Sequence, residues 1–308
     1  INMVYQLAEG VNLHVLPTKQ YKTIRIFIRF TARLQQEVIT KRSLLSSMLE
    51  TNSLNYPDQT KLSAQLAELY GASFGLSVRK KGNLHWLNAG ISFVNGEYVN
   101  DPNLFSQAVD FLKEVLFYPN IKNHQFDQLT FDLEKNNLRL YLESLKEDKQ
   151  TFASYALQEL YFENSPEQKI PGLGVVEDLD KITASSLASY YQEMMANDQI
   201  DIFVVGDVDP DKAAEAVGQL PFESRETVYP DLFYTQPQVN IVKERQVREP
   251  IVQAKLNLAY QTNVYYDEPE RFALMVFNGL FGGFPHSKLF MNVREKESLA
   301  YYCLLYTS

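Results

Sequence analysis

Three features of the sequence predict an α+β fold built as two related domains, the second truncated. Runs with a period of two alternate with runs of period 3.6, which are the marks of half-buried strands and amphipathic helices. Two segments match one another, Thr60-Lys61-Leu62 with Leu66 and Glu68, and Ser287-Lys288-Leu289 with Val293 and Glu295. The same strand, helix, helix, strand order surrounds both, as an internal repeat requires. At 308 residues and 45% hydrophobic content, the chain is long enough for two domains with real cores.

The elements follow in order. Val11 to Pro17 and Thr23 to Phe30 alternate apolar and polar residues and are expected as strands. Arg42 to Leu49 sets Leu44, Leu45, Met48 and Leu49 on one helical stripe. Thr60 to Tyr70 repeats the habit with Leu62, Leu66 and Leu69, and Gly71 stops the helix. Strands are expected at Phe74 to Lys80 and Leu84 to Phe93, joined through Lys81-Gly82-Asn83. Beyond Gly96 the chain turns helical, with helices at Leu104 to Phe117, Gln125 to Lys149, Thr151 to Phe162 and Ala184 to Met195. Pro119 ends the first of these and Thr183 is placed to cap the last. Gln199 to Val208 reads as a buried strand. The domains are expected at 1–219 and 241–308, with the proline-bearing stretch 220–240 as linker. In the second, a strand at Gln253 to Gln261 and a helix at Glu268 to Leu280 precede a glycine-rich turn and a helix at Ser287 to Glu297.

Bulk properties narrow the function. The charge of −9 is spread along the chain, which argues against nucleic acid as a partner, since phosphate contacts need clustered Lys and Arg. A single cysteine, Cys303, excludes an internal disulfide framework, and with the acidity it fits a cytoplasmic protein. No apolar run approaches the roughly 20 residues that span a bilayer. Ile1 in place of methionine, and a strand beginning at Tyr301 that goes unfinished, suggest a chain cut at both ends. Cys303 to Ser308 fit no pattern upstream of them.

The chemistry-bearing residues are few. A zinc peptidase needs imidazoles and a carboxylate converging on the metal, most simply two histidines four apart on one helix with a glutamate between. The histidines are His14, His85, His124 and His286, no two of them close in sequence. Near the other end, Asn278 to Tyr301 runs from a glycine-rich turn into an amphipathic helix, with Arg294 seven residues before Tyr301. A guanidinium and a phenol can donate hydrogen bonds to a peptide carbonyl. Spacing alone favours a solvated Arg294 paired with Glu295 or Glu297 and a tyrosine in a strand core, with Tyr302 one register step away.

These residues resemble the pitrilysin/insulinase family of zinc metallopeptidases over nearly the whole chain. Leu69-Tyr70-Gly71-Ala72, Phe162 through Pro171-Gly172, and Gly206-Asp207 fall in that family's order and spacing. The resemblance implies two related domains, each a mostly antiparallel sheet with helices packed on one face. It also implies that the helix carrying the HxxEH metal motif is the one reading Ser43-Leu44-Leu45-Ser46-Ser47-Met48. Ser43 and Ser47 would then stand for the histidines and Ser46 for the glutamate base. The family's third ligand would fall near Leu142, with Glu143 beside it, ahead of Glu147-Asp148. No metal or other cofactor is expected in this chain, and no catalytic residue of its own.

Arg294 and Tyr301 match the family's substrate-binding pair. The resemblance therefore implies a non-catalytic subunit that binds peptide and forms a heterodimer with a zinc-holding, HxxEH-bearing chain. The alternative is a structural or binding subunit with no proteolysis, and a third reading is an independently active peptidase.

Overall fold

The fold follows from how the alternating strands find partners. In the computed structural model, which describes residues 2–226, 231–301, 303 and 305, six strands form one sheet. They are β1 (Met3–Ala8), β2 (Val11–Pro17), β3 (Thr23–Arg33), β4 (Ser73–Lys81), β5 (Leu84–Val94) and β8 (Gln199–Gly206), with β6 (Ile121–Lys122) and β7 (Gln125–Phe126) pairing separately. The sheet order is β1-β2-β8-β3-β5-β4, and every pairing is antiparallel except that of β2 with β8.

The helices are α1 (Gln36–Thr51), α2 (Gln59–Glu68), α3 (Leu104–Phe117), α4 (Gln128–Glu147), α5 (Lys149–Tyr161), α6 (Val176–Leu179), α7 (Ala184–Asn197), α8 (Pro210–Val217) and α9 (Arg271–Asn278). β1, β6, β7, α6 and α8 were not expected from the sequence, and Gln125–Phe126, expected to open a helix, forms β7 instead. The expected strands at 11–17, 23–30, 74–80, 84–93 and 199–208 all form, as do the helices from α1 to α5 and α7.

Period two decides which side of the sheet is dry. Ile24, Ile26, Ile28 and Phe30 of β3 are buried, as are Leu87, Ala89 and Ile91 of β5 and Ile200, Ile202 and Val204 of β8. Against that face pack α1, α3 and α8, whose Leu44, Leu45, Met48, Phe111, Leu112 and Val217 join the same core. Thr183 caps α7 with a reciprocal hydrogen-bonded box to Ser186.

By internal contacts the chain forms two compact units, one running to Leu258 and the other from Ala259 onward. The stretch after β8 is held on the first unit by polar contacts. The Gly82 turn between β4 and β5 has φ +53°, and a Cβ there would stand 1.9 Å from the Leu232 carbonyl oxygen. Only glycine meets both demands. Asn83 donates its backbone N–H to Leu232 O at 3.0 Å and its side-chain amide to Asp231 O and Phe233 O. Further on, Arg245 pairs with Glu159 and Lys243 with Glu163, both acids near the end of α5.

The chain beyond residue 252 differs from its sequence reading. No strand forms over Gln253–Gln261, where Leu256, Leu258 and Tyr260 are largely exposed. Alternation makes a strand only where a neighbouring backbone completes its ladder, and none does among the described residues. The helix expected at 268–280 forms over Arg271–Asn278. Gly279–Gly283 and Phe290–Lys296 continue as wider π-helical turns, closed by bonds such as Phe284 N–H to Gly279 O. Tyr301 lies outside any strand, and Tyr302 lies outside the described residues.

Candidate functional site

The helix-bearing face of the sheet determines what becomes of the serines on α1. Ser43 and Ser46 are buried and Ser47 half-buried. Ser46 Oγ donates to the Ser43 carbonyl at 2.7 Å and Ser47 Oγ to the same oxygen at 3.4 Å, so both hydroxyls fold back onto their own helix. Ser43 Oγ is buried with no hydrogen-bond partner. On α4, which packs against α1, Leu142 is in the core and Glu143 is exposed. Two carboxylates do stand near the end of α1, but they serve other purposes. Glu50 accepts the backbone N–H of Leu76 on the edge strand β4 at 3.0 Å. Glu134 is held above the usual carboxylate range by burial, against the pull of hydrogen bonds from Thr51 and Asn137.

This donor set does not fit zinc. Two neutral hydroxyls are committed to a carbonyl, the third has no hydrogen-bond partner, and near the expected third ligand position Leu142 is apolar while Glu143 is exposed. Among the described residues no group of three or more His, Cys, Asp or Glu side chains comes together to hold a metal ion. The histidines have other work. His14 stacks on Phe203 with its Nε2 3.1 Å from Asp201, His124 sits in the turn between β6 and β7, and His286 is exposed.

His85 belongs to a buried polar hub that the sequence reading missed. Arg42 of α1 is fully buried. Its Nε donates to His85 Nδ1 at 2.9 Å, its Nη1 to Asp198 Oδ2 at 2.6 Å and to the Tyr190 hydroxyl, and its Nη2 to the Phe30 carbonyl. Burial alone would push Arg42 down, but Asp198 and Tyr190 outweigh it and hold the guanidinium charged. His85 Nε2 then donates to Gly172 O at 2.9 Å, which fixes the neutral tautomer. Burial first, and the facing Arg42 second, lower its pKa to about 3. One signal was available in the sequence. Arg42, Leu45 and Leu49 stand at i, i+3 and i+7, which puts the arginine on the apolar stripe.

In the second unit Arg294 and Tyr301 come together. The guanidinium carbon lies 5.2 Å from the centre of the Tyr301 ring and 4.4 Å from that of Phe290. Arg294 Nε is 3.5 Å from Glu295, one of the two acids the spacing suggested. Tyr301 is mostly exposed and lies outside any strand core.

A mostly antiparallel sheet with helices on one face, without a cluster of metal-binding side chains among the described residues, defines the class: an α+β fold of the zinc-peptidase type. Residues 181–308 match the peptidase M16 inactive domain family. The chain is 33% identical over 295 residues to the probable inactive metalloprotease YmfF of Bacillus subtilis (strain 168), covering 95% of this chain and 69% of that protein. The structure superposes on a conserved protein from Enterococcus faecalis V583 with a TM-score of 0.95 at 59% identity, over 98% of this chain and 71% of that one. A peptidase M16 inactive domain from Pseudomonas fluorescens shares the fold, with a TM-score of 0.69 at 18% identity over 98% of this chain and 69% of that one. The chain belongs to the M16, or pitrilysin/insulinase, peptidase family.

Proposed function

We propose that this chain is the non-catalytic member of a peptide-processing pair, binding an extended peptide while an HxxEH-bearing family member supplies the hydrolysis. The carrying observation is a contrast within one sequence. The metal positions on α1 hold serines that bond to their own helix, yet Arg294 stands over Tyr301 with both side chains near solvent. A guanidinium and a phenol so placed can donate to a peptide carbonyl and to the charge that develops on it during attack. The inactive name of the Bacillus relative supports a role without chemistry of its own. Zinc belongs, on this reading, to the partner. The division into a first domain at 1–219, a linker at 220–240 and a substrate-binding domain from 241 is part of the same proposal. The acidic composition and lone cysteine support a cytoplasmic setting.

The test is capture of the full-length protein from its native lysate, followed by reconstitution with the HxxEH-bearing companion. Arg294→Ala and Tyr301→Phe are each expected to lower kcat/KM of the pair by about a hundredfold, the usual effect of losing one positioned donor. An unchanged kcat/KM would remove the substrate role. Loss of complex formation alone, or capture without such a companion, would favour the purely structural subunit.

A further inference from the structure

The face of the sheet turned away from the helices carries an ordered set of rings and cations that the peptidase reading does not use. His14 of β2, Phe203 of β8 and Phe27 of β3 lie in one row across neighbouring strands. Their rings are nearly parallel, with centroids 4.7 and 4.6 Å apart. The row continues into Gly90 of β5 and Gly75 of β4, which place no side chain beside Phe27. Along β3, Arg25 and Arg29 flank Phe27, with guanidinium carbons 5.6 and 5.9 Å from its ring, and Arg29 lies 4.0 Å over Trp86. Arg79 of β4 is paired in register with Trp86.

This face is cationic on a chain of net charge −9. The carboxylate among these residues, Asp201, is engaged by His14 and by Gln199. Arg25, Arg29 and Arg79 make no ion pair among the described residues. Arg29 Nε donates to Asn88 Oδ1 at 3.0 Å, and partial burial first, with the charge of Arg79 adding to it, lowers the Arg29 pKa against the pull of Asp201, its partner in register. Half-buried rings beside cations without a paired carboxylate fit an anionic partner with an apolar side chain.

We propose that this sheet face binds an extended acidic peptide segment in which two carboxylates bracket an aromatic residue. Alternate residues of an extended chain recur every ~7 Å on one side. Arg25, Phe27 and Arg29 recur with the same step, so a Glu-x-Phe-x-Glu segment sets its carboxylates on the two arginines and its ring on the Phe27–Phe203 stack. The surface lies wholly in the first unit and does not rest on the pairing proposed above. Its readout needs neither partner nor proteolysis, so either idea can fail alone.

Trp86 is the single tryptophan of the chain and sits on this face, where it reports occupancy. The experiment titrates the full chain with the N-acetylated, C-amidated peptide Glu-Ser-Phe-Ser-Glu and follows Trp86 emission, with Lys-Ser-Phe-Ser-Lys as the control. A saturable change below about 1 mM is expected with the acidic peptide only. It should weaken about tenfold in the Arg25→Gln/Arg79→Gln variant, whose side chains are exposed and whose fold is checked by circular dichroism. No saturation, equal binding of the lysine peptide, or indifference to the double variant would overturn the proposal. Tighter binding of an oligothymidylate would also overturn it, in favour of single-stranded nucleic acid.

Discussion

Single buried polar residues set much of the stability of this fold. Ser43 hides a hydroxyl with no partner on a helix facing the core. An unpaired buried hydroxyl costs free energy, and alanine is the best helix former. Ser43→Ala is therefore expected to stabilise the protein by about 1 kcal/mol in urea unfolding, and a loss of stability would show that the hydroxyl has a partner in solution. The hub around Arg42 carries a pH dependence of definite sign. The folded state keeps His85 neutral down to about pH 3, whereas an unfolded imidazole takes up its proton near pH 6.5. Stability from this group is present above pH 6.5 and is lost as pH falls toward 3, at up to about 1.4 kcal/mol per pH unit. Urea midpoints across that window should fall more steeply for the parent than for His85→Asn, whose amide oxygen can still accept from Arg42. Equal slopes would assign the acid sensitivity to other groups.

At the scale of elements, the edge strand β4 shows how a helix and a loop manage an open ladder. Glu50 at the end of α1 takes the Leu76 N–H, and Lys80 Nζ donates to the carbonyls of Gln168 and Ile170, its pKa lowered to about 8 by burial. Removing the carboxylate leaves Leu76 N–H without an acceptor. Glu50→Ala is expected to speed hydrogen exchange at Leu76 about tenfold with little change at Leu87, which lies in the buried sheet. Unchanged exchange at Leu76 would mean that its protection comes from elsewhere. None of this was legible in advance, because Glu50 and Leu76 are distant in sequence and nothing local links them. The cap on α7, by contrast, could be read directly, because Thr183 acts on backbone only three residues away.

At the scale of the whole molecule, the lack of a metal-binding cluster among the described residues has a direct consequence. A ligand that binds only the folded state raises its melting temperature by mass action. With no cluster of three metal-binding side chains among the described residues, equimolar zinc is expected to leave the melting temperature unchanged, whereas a rise of several degrees would reveal a ligand set that forms in solution. The sequence by itself determined most of the longer strands and helices of the first unit, the absent histidine pair and the family. Those depend on period, on turn and cap residues, and on ligand types, all of which are local. It misjudged the segment 253–261, where alternation found no neighbouring strand. Only the tertiary structure decided that Arg42 and His85 share a buried hub with Asp198, that Phe27, Phe203, His14 and Trp86 line one face with three arginines, and that Arg294 reaches Tyr301. Each of these depends on residues brought together by register and packing, which a linear pattern does not encode.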